Sequence, residues 1–266
     1  MSRMKADEIN NHVSDFLRDG FCILPGLISP EKIRAWNESF EPLLMDHIES
    51  QGDPSFRGAN RFYVTLPFAK PFADPSIFDN DDILAIVERI AGKDFVMCQL
   101  ASDSPTLGSD FQAIHSDAPP LFPEEPEIQT PSFQLAVNFP LCDVTPENGP
   151  LEITRGTHRM KKADALSKIE SGEIKLESIT MKAGDVMIRD VRCLHRGTPN
   201  RTNVPRPMVV IGYSRSWMLR PEVQIEIPRA EFELLSPRAR HMLRFNPVVE
   251  KLSQEPIRET YKAFAY

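Results

Sequence analysis

From residue 94 onward the chain carries a succession of short apolar segments separated by turns, and this pattern limits the folds open to it. The clearest segment is 133–141, where apolar residues alternate with Gln, Ala, Asn and Pro. A period of two indicates a strand with one buried face. The same signals predict further strands at 94–102, 151–154, 174–180, 186–190 and 208–217. Many short strands at fairly even spacing favour a sandwich or barrel.

The first third of the sequence instead mixes helix and strand signals. Apolar residues at helical spacing predict a helix over 7–19, and Ser29 followed by Pro30 is typical of a helix start. Short strands are predicted at 21–24 and 61–66, and helices at 82–90 and 229–242. We expect these helices to cover the outside of one sheet. The prediction is a single domain over 1–266, with a β core at about 94–217 and helical support from 1–93 and 225–266.

Composition and charge narrow the class of protein. The 266 residues are 41% hydrophobic and 26% charged, as in ordinary globular proteins. A net charge of −7 argues against a nucleic acid or an acidic membrane as partner. The N-terminus does not resemble a secretory signal, and the four cysteines form no CxxC pair. These features predict a cytoplasmic protein with reduced thiols. We separately expect a small-molecule substrate and a monomeric or homodimeric state.

Two histidines and an aspartate are candidate metal ligands. His115 and Asp117 stand two positions apart, so on a strand both side chains point to one face. His195 follows a later predicted strand and turn. Two His and one carboxylate leave three metal positions open, which suits non-haem iron(II) with a bidentate cosubstrate and O2. The alternative is a hydrogen-bonded strand histidine and an ordinary loop histidine.

Arg206 is a candidate anion ligand, because it begins the apolar run 208–211. A buried arginine needs an anionic partner, and its planar guanidinium can bind a carboxylate through two hydrogen bonds. The far carboxylate of 2-oxoglutarate fits that description. The alternative is a surface arginine at a strand edge, which Pro205 and Pro207 would also allow.

Four blocks of the sequence resemble the phytanoyl-CoA dioxygenase family of Fe(II)/2-oxoglutarate oxygenases. They contain, in order, the Gln112–Asp117 segment, the stretch from Asn148 to Arg159, the turn at Ala183–Val186, and the segment from His195 to Arg206. The helix and strand over 15–28 also look like the opening of that family.

The resemblance implies a double-stranded β-helix, or cupin-like jelly roll, that uses Fe(II), 2-oxoglutarate and O2. It implies His115, Asp117 and His195 as metal ligands and Arg206 as the 2-oxoglutarate anchor. Gln112 is carried over as a residue that lies against the cosubstrate. Many members have Trp where this chain has Asn138, so Asn138 either binds a carboxylate or lies on an outward strand face. The retained Asp117 argues against halogenation, since related halogenases replace this carboxylate.

The resemblance further implies oxidation of a small organic metabolite at an unactivated C–H bond, with release of succinate and CO2. Hydroxylation is the default outcome, while desaturation, cyclisation and epoxidation stay open. The alternative function is a non-catalytic or 2-oxoglutarate-independent cupin-type metal protein. The loop 118–131 is a candidate lid. Candidate substrate residues, each also open to a packing role, are Arg61, Tyr63, Arg215 and Trp217.

Overall fold

A sheet of six antiparallel strands forms the main layer of the protein. The computed structural model describes residues 4–51, 57–122, 124–125, 127–218 and 224–253. In spatial order the strands of this main sheet are β1 (Phe21–Leu24), β7 (Val186–Asp190), β4 (Gln134–Pro140), β9 (Met208–Arg215), β3 (Phe95–Pro105) and β2 (Arg61–Thr65). Strands far apart in sequence are therefore neighbours, as expected where connections cross between two layers.

A smaller sheet of three antiparallel strands lies opposite the inner face of the main sheet. Its strands are β6 (Glu177–Ile179), β5 (Leu151–Ile153) and β8 (His195–Gly197). An isolated antiparallel bridge between His115 and His195 extends this sheet by one segment. The two facing antiparallel sheets confirm the predicted jelly roll.

Helices cover the outer face of the main sheet and enclose the principal hydrophobic core. They are α1 (Ala6–Asp19), α2 (Pro30–Gln51), α3 (Pro75–Phe78) and α4 (Asp81–Ala91). The outward residues of β4, namely Leu135, Val137 and Phe139, are fully buried against them. Trp36 of α2 meets Phe139 edge to face, with 5.2 Å between ring centroids. Alternation along β4 thus assigns one face to the core and leaves the other to the space between the sheets.

The connection from α1 to β1 requires a glycine. Gly20 has a φ of 86° and ends α1 in the left-handed conformation. A Cβ atom at this position would lie 2.1 Å from the Cys193 sulfur and 2.6 Å from Nδ1 of His158. Glycine therefore satisfies both the backbone geometry and the close packing against the segment that precedes His195.

The prediction of one C-terminal helix over 229–242 is wrong, because the structure has two short helices there. These are α6 (Arg229–Leu234) and α7 (Pro237–Met242). Pro237 cannot continue a helix from α6, and the Ser236 side chain caps α7 by accepting a hydrogen bond from the Ala239 amide. Elements without a sequence prediction include α3, α5 (Lys162–Glu170), β8, β10 (Ile227–Pro228) and β11 (Val248–Val249).

Two further predictions concern the chain as a whole. The helical support predicted over 225–266 lies partly outside the described residues, which end at 253. The division into a single domain stays a prediction. Within the described ranges, no helix is both long and apolar enough to cross a membrane.

Candidate metal centre

The structure brings His115, Asp117 and His195 together between the two sheets. One ligand atom from each residue lies within 4.8 Å of the others, and all three residues are buried. The amide of His115 donates to the carbonyl of His195 and the reverse bond also forms, each at 2.9 Å. This reciprocal bridge places both imidazoles on one face, with ring centroids 4.4 Å apart. Two backbone hydrogen bonds therefore fix residues that are distant in sequence.

Backbone carbonyls orient both imidazole rings. Nδ1 of His115 lies 2.8 Å from the carbonyl of Ala113, and Nδ1 of His195 lies 2.8 Å from that of Cys193. A carbonyl can only accept, so each Nδ1 carries the proton and each Nε2 keeps its lone pair. The Nε2 atoms of His115 and His195 lie 3.6 Å and 3.4 Å from Oδ1 of Asp117.

Burial and nearby charge set the ionisation of the three groups. Burial, followed by the neighbouring His195, lowers the pKa of His115 to about 4. Burial opposes ionisation of Asp117, but the charge of Arg189 outweighs it and holds the pKa of that carboxyl well below its usual value. Near neutral pH the His115 imidazole is neutral and the Asp117 carboxyl is ionised, which are the forms that bind metals.

The donor set fits a divalent metal ion. Two imidazole lone pairs and a carboxylate oxygen converge on one point, and a cation there would satisfy all three. Two His and one carboxylate occupy one side of the metal and leave positions open for other ligands, as in non-haem iron(II) sites. Iron held there supplies the activation of O2.

A cavity of about 180 Å³ extends from these residues between the two sheets. Arg206 lies at this cavity and is 3% exposed. Its Nε and Nη2 atoms donate to the carbonyl of Gly149 at 3.1 and 2.7 Å. Burial lowers the pKa of Arg206 to about 10, although the nearby Asp103 favours its charge. The predicted anion ligand is therefore buried and charged, and it lies on the cavity wall.

Gln112 and Arg61 also line the cavity, beside the small sheet. Gln112 accepts a hydrogen bond from the amide of Gly197 at 2.9 Å through Oε1. Arg61 is 1% exposed and donates to Oδ2 of Asp103 and to the carbonyl of Thr198. A Cβ at Gly197 would lie only 2.5 Å from the Arg61 guanidinium, so glycine is needed where this arginine crosses the small sheet.

Arg189 is a cavity residue that sequence reasoning missed. Its Nη2 atom donates to Oδ2 of Asp117, and its Nε atom donates to Oδ1 of Asn138 at 3.1 Å. Asn138 in turn donates to the carbonyl of Val209 at 3.2 Å. Asn138 is therefore buried on the inner face, and the outward alternative does not hold. The available signal was a charged residue at an inward position of β7, directly after the apolar residues 186–188.

Of the four candidate substrate residues, the structure brings two to the cavity. Arg61 and Tyr63 line it, and the Tyr63 hydroxyl contacts the Gln99 amide. Arg215 instead donates to the carbonyls of Ser132 and Ile90, away from the cavity. By alternation, Arg215 lies on the outer face of β9, the face that packs against the helices. Trp217 lies beyond the end of β9 and is 57% exposed.

The predicted lid loop over 118–131 borders a different cavity. Its described residues line a space of about 290 Å³ together with His158 and Arg192. Ser116 and Ala118 face this second cavity, whereas His115 and Asp117 face the first. The segment 115–118 therefore separates the two spaces, because alternate side chains point to opposite sides.

Comparisons with known proteins identify the family. The model of the phytanoyl-CoA dioxygenase (PhyH) family matches residues 16–208, and the chain belongs to this family. The multifunctional dioxygenase prhA of Penicillium brasilianum is 22% identical over 259 residues, covering 92% of this chain and 84% of the relative. The predicted family is thereby confirmed.

Solved structures give the same fold at low sequence identity. HygX from Streptomyces hygroscopicus, solved with nickel, 2-oxoglutarate and hygromycin B, is 18% identical with a TM-score of 0.61, covering 85% of this chain and 91% of its own. The epimerase SnoN, solved with Fe3+, alpha ketoglutarate and nogalamycin RO, is 18% identical with a TM-score of 0.60. That likeness covers 80% of this chain and 85% of SnoN. The protein is a non-haem Fe(II)/2-oxoglutarate-dependent oxygenase.

Proposed function

We propose that the protein hydroxylates an unactivated C–H bond of a small organic metabolite, with release of succinate and CO2. In this proposal His115, Asp117 and His195 hold the iron, and Arg206 holds the far carboxylate of 2-oxoglutarate. The observation that carries the proposal is the pairing of a buried His-Asp-His cluster with a buried arginine on one cavity. Arg206 in particular is a buried charge, and buried charges require partners of opposite sign.

The protein contributes position and protonation state to this reaction. The carbonyls of Ala113 and Cys193 keep both imidazoles in the metal-binding tautomer. Arg189 binds one oxygen of Asp117 and leaves the other directed at the histidines. Apolar side chains of both sheets exclude water from the rest of the cavity; they include Ala136, Leu151, Ile179, Val191 and Val210. Bound iron and 2-oxoglutarate carry the oxidation itself.

Two other functions make different predictions. Epimerisation is the first alternative. SnoN, which has the same fold, is an epimerase, and its name implies a change of stereochemistry without a new hydroxyl group. A metal-binding protein without catalysis is the second alternative. Hydroxylation is the default outcome for this class of oxygenase, and the buried, ionised Asp117 completes the metal-binding set and leaves no place for a halide, which argues against halogenation.

A succinate-release screen against a metabolite library, run under isotopically labelled dioxygen, tests the proposal. A hydroxylase forms succinate and transfers one labelled oxygen atom to the organic product. An unlabelled product with inverted stereochemistry would favour epimerisation. Absence of succinate with every compound, despite iron and 2-oxoglutarate binding, would favour the non-catalytic alternative. Arg196→Gln is a suitable control, since Arg196 pairs with Glu152 and does not line the cavity.

The remaining attributes of the protein are also proposals. We infer that the substrate is a small molecule, as in the HygX and SnoN complexes. A cytoplasmic location and a monomeric or homodimeric state stay predictions from the sequence.

A further inference from the structure

The cavity holds more buried positive charge than its carboxylates balance. Arg61, Arg189 and Arg206 line it and are each less than 10% exposed. Their carboxylate counterparts on the described lining are Asp103 and Asp117. Arg61 pairs with Asp103 at 2.8 Å, and Arg189 pairs with Asp117. The cavity is therefore cationic before any ligand binds.

Iron and 2-oxoglutarate do not remove this excess. The two charges of iron(II) cancel those of the 2-oxoglutarate dianion, so one positive charge remains among the three arginines. Arg57 also lines the cavity, with its guanidinium carbon 3.9 Å from the centre of the Tyr63 ring, and adds positive potential. A buried charge without a counterion is costly, so a further anion is favoured in the cavity that holds iron and 2-oxoglutarate.

Arg189 offers the donor for that anion. Asn138 and Asp117 hold its Nε and Nη2 atoms, so the planar guanidinium has a fixed orientation. Its Nη1 atom is buried and makes no hydrogen bond within the described part of the chain. The guanidinium already touches the candidate iron ligand Asp117, so an anion bound at Nη1 would lie beside the metal.

Two apolar side chains flank Arg189 on the cavity wall. Ala136 is its neighbour across the sheet, and Val191 lies two positions further along the same chain segment. A ligand that reaches Nη1 therefore meets hydrocarbon from both of these residues. This combination suits a molecule with one anionic group and an apolar body.

We propose that the substrate is an apolar carboxylic acid whose carboxylate binds Nη1 of Arg189. The inference rests on the oxygenase function proposed above and adds the chemical class of substrate. Arg206 serves the far carboxylate of 2-oxoglutarate and Arg61 serves Asp103. Arg189 shares its partner Asp117 with the metal and keeps Nη1 unbonded, so it is the arginine that we assign to the substrate. It is a substrate-binding residue and also positions Asp117.

Matched pairs of acid and ester test this assignment. Octanoic and cinnamic acids and their methyl esters are titrated by calorimetry into protein loaded with nickel(II) and 2-oxoglutarate, since nickel stops turnover. We expect the acids to bind at least about 10-fold more tightly than the esters, the effect of a lost hydrogen bond to a charged group. Arg189→Gln removes this preference, Arg189→Lys retains most of it, and Arg196→Gln leaves it unchanged.

The affinity for 2-oxoglutarate distinguishes failure of this substrate assignment from failure of the proposed oxygenase function. We expect Arg189→Gln to bind 2-oxoglutarate within about 3-fold of the wild-type affinity. The charge-transfer absorbance of the iron(II) complex should persist. Loss of 2-oxoglutarate affinity to the same extent as acid affinity would assign Nη1 to the cosubstrate and overturn the proposal. Equal binding of acids and esters, or no acid binding at millimolar concentration, would also overturn it. If wild-type protein failed to bind 2-oxoglutarate, the proposed function itself would be refuted.

Discussion

The two ends of the cavity differ in how completely their polar groups are satisfied. At the metal end, backbone carbonyls bind Nδ1 of both His115 and His195, and Arg189 binds Asp117. Along the side lined by Arg61, Arg189 and Arg206, the donor atoms Nη1 of Arg189 and Nε of Arg61 are buried without a hydrogen bond to any described residue. The metal end is preformed, whereas the arginine side is complete only with organic anions.

This difference separates two kinds of binding. A metal site must hold its ligands in fixed tautomers and orientations before the ion arrives, and hydrogen bonds from the backbone provide this. An anion site needs donors that remain unsatisfied, so that the ligand is favoured over an internal partner. Substitutions at each end should therefore impair different ligands.

The largest effect is expected from substitution at the metal end. Asp117→Ala removes the carboxylate ligand and leaves Arg189 without its anionic partner. We expect loss of iron binding and of all succinate formation, measured by metal analysis after dialysis and by a succinate assay. Arg196→Gln, outside the cavity, is the control and should bind iron normally. Retention of stoichiometric iron by Asp117→Ala would contradict the assigned ligand set.

A smaller effect, confined to the cosubstrate, is expected at Arg206. Arg206→Ala removes the buried guanidinium and should weaken 2-oxoglutarate by on the order of 100-fold, the cost of losing one partner of a buried charge pair. Iron affinity should stay within a few-fold of wild type, because Arg206 contacts no metal ligand. Calorimetric titration of each ligand measures the two effects. Equal losses of iron and 2-oxoglutarate affinity would show that the two ends are not separate.

Acidification should destabilise the metal-free protein through His115. Its pKa is about 4 in the folded protein and 6.5 ordinarily, so the unfolded chain takes up a proton first as the pH falls. The stabilisation is present above about pH 6.5 and is lost towards pH 4. At about 1.4 kcal/mol per pKa unit, we expect the free energy of unfolding to decrease by roughly 2–3 kcal/mol over that window.

Denaturant unfolding of metal-free wild type and His115→Asn at several pH values measures this effect. The half-buried His47 and the buried His158 also have lowered pKa values and contribute to the wild-type slope, so the informative quantity is the difference between the two proteins. A smaller slope in His115→Asn agrees with the assignment. Identical slopes would mean that the buried imidazole of His115 does not titrate as described.

Local patterns in the sequence predicted much of this molecule. Alternation over 133–141 gave β4 and its buried face, and the His-x-Asp spacing placed His115 and Asp117 on one side of the chain. The pairing of Arg189 with Asp117 could not be predicted in this way. It joins β7 to the non-strand segment that carries Asp117, and the relative position of segments so distant in sequence depends on the whole fold.

The same limit explains the outcomes at Arg215 and Trp217. The sequence indicated a strand around these residues. It did not indicate which face of β9 packs against the helices and which faces the cavity. Val209, Ile211 and Tyr213 take the helix side, so Arg215 follows them outward. Trp217 lies past the strand end, where alternation no longer applies.

Anaerobic titration of 2-oxoglutarate into the iron(II)-loaded protein tests the central claim most directly. The claim is that a preformed iron site and Arg206 together bind one 2-oxoglutarate. We expect a visible charge-transfer band that saturates at one 2-oxoglutarate per iron in wild type. In Arg206→Ala the band should require much higher concentrations, and in Asp117→Ala it should be absent. A wild-type protein that binds iron but develops no band with 2-oxoglutarate would contradict the claim.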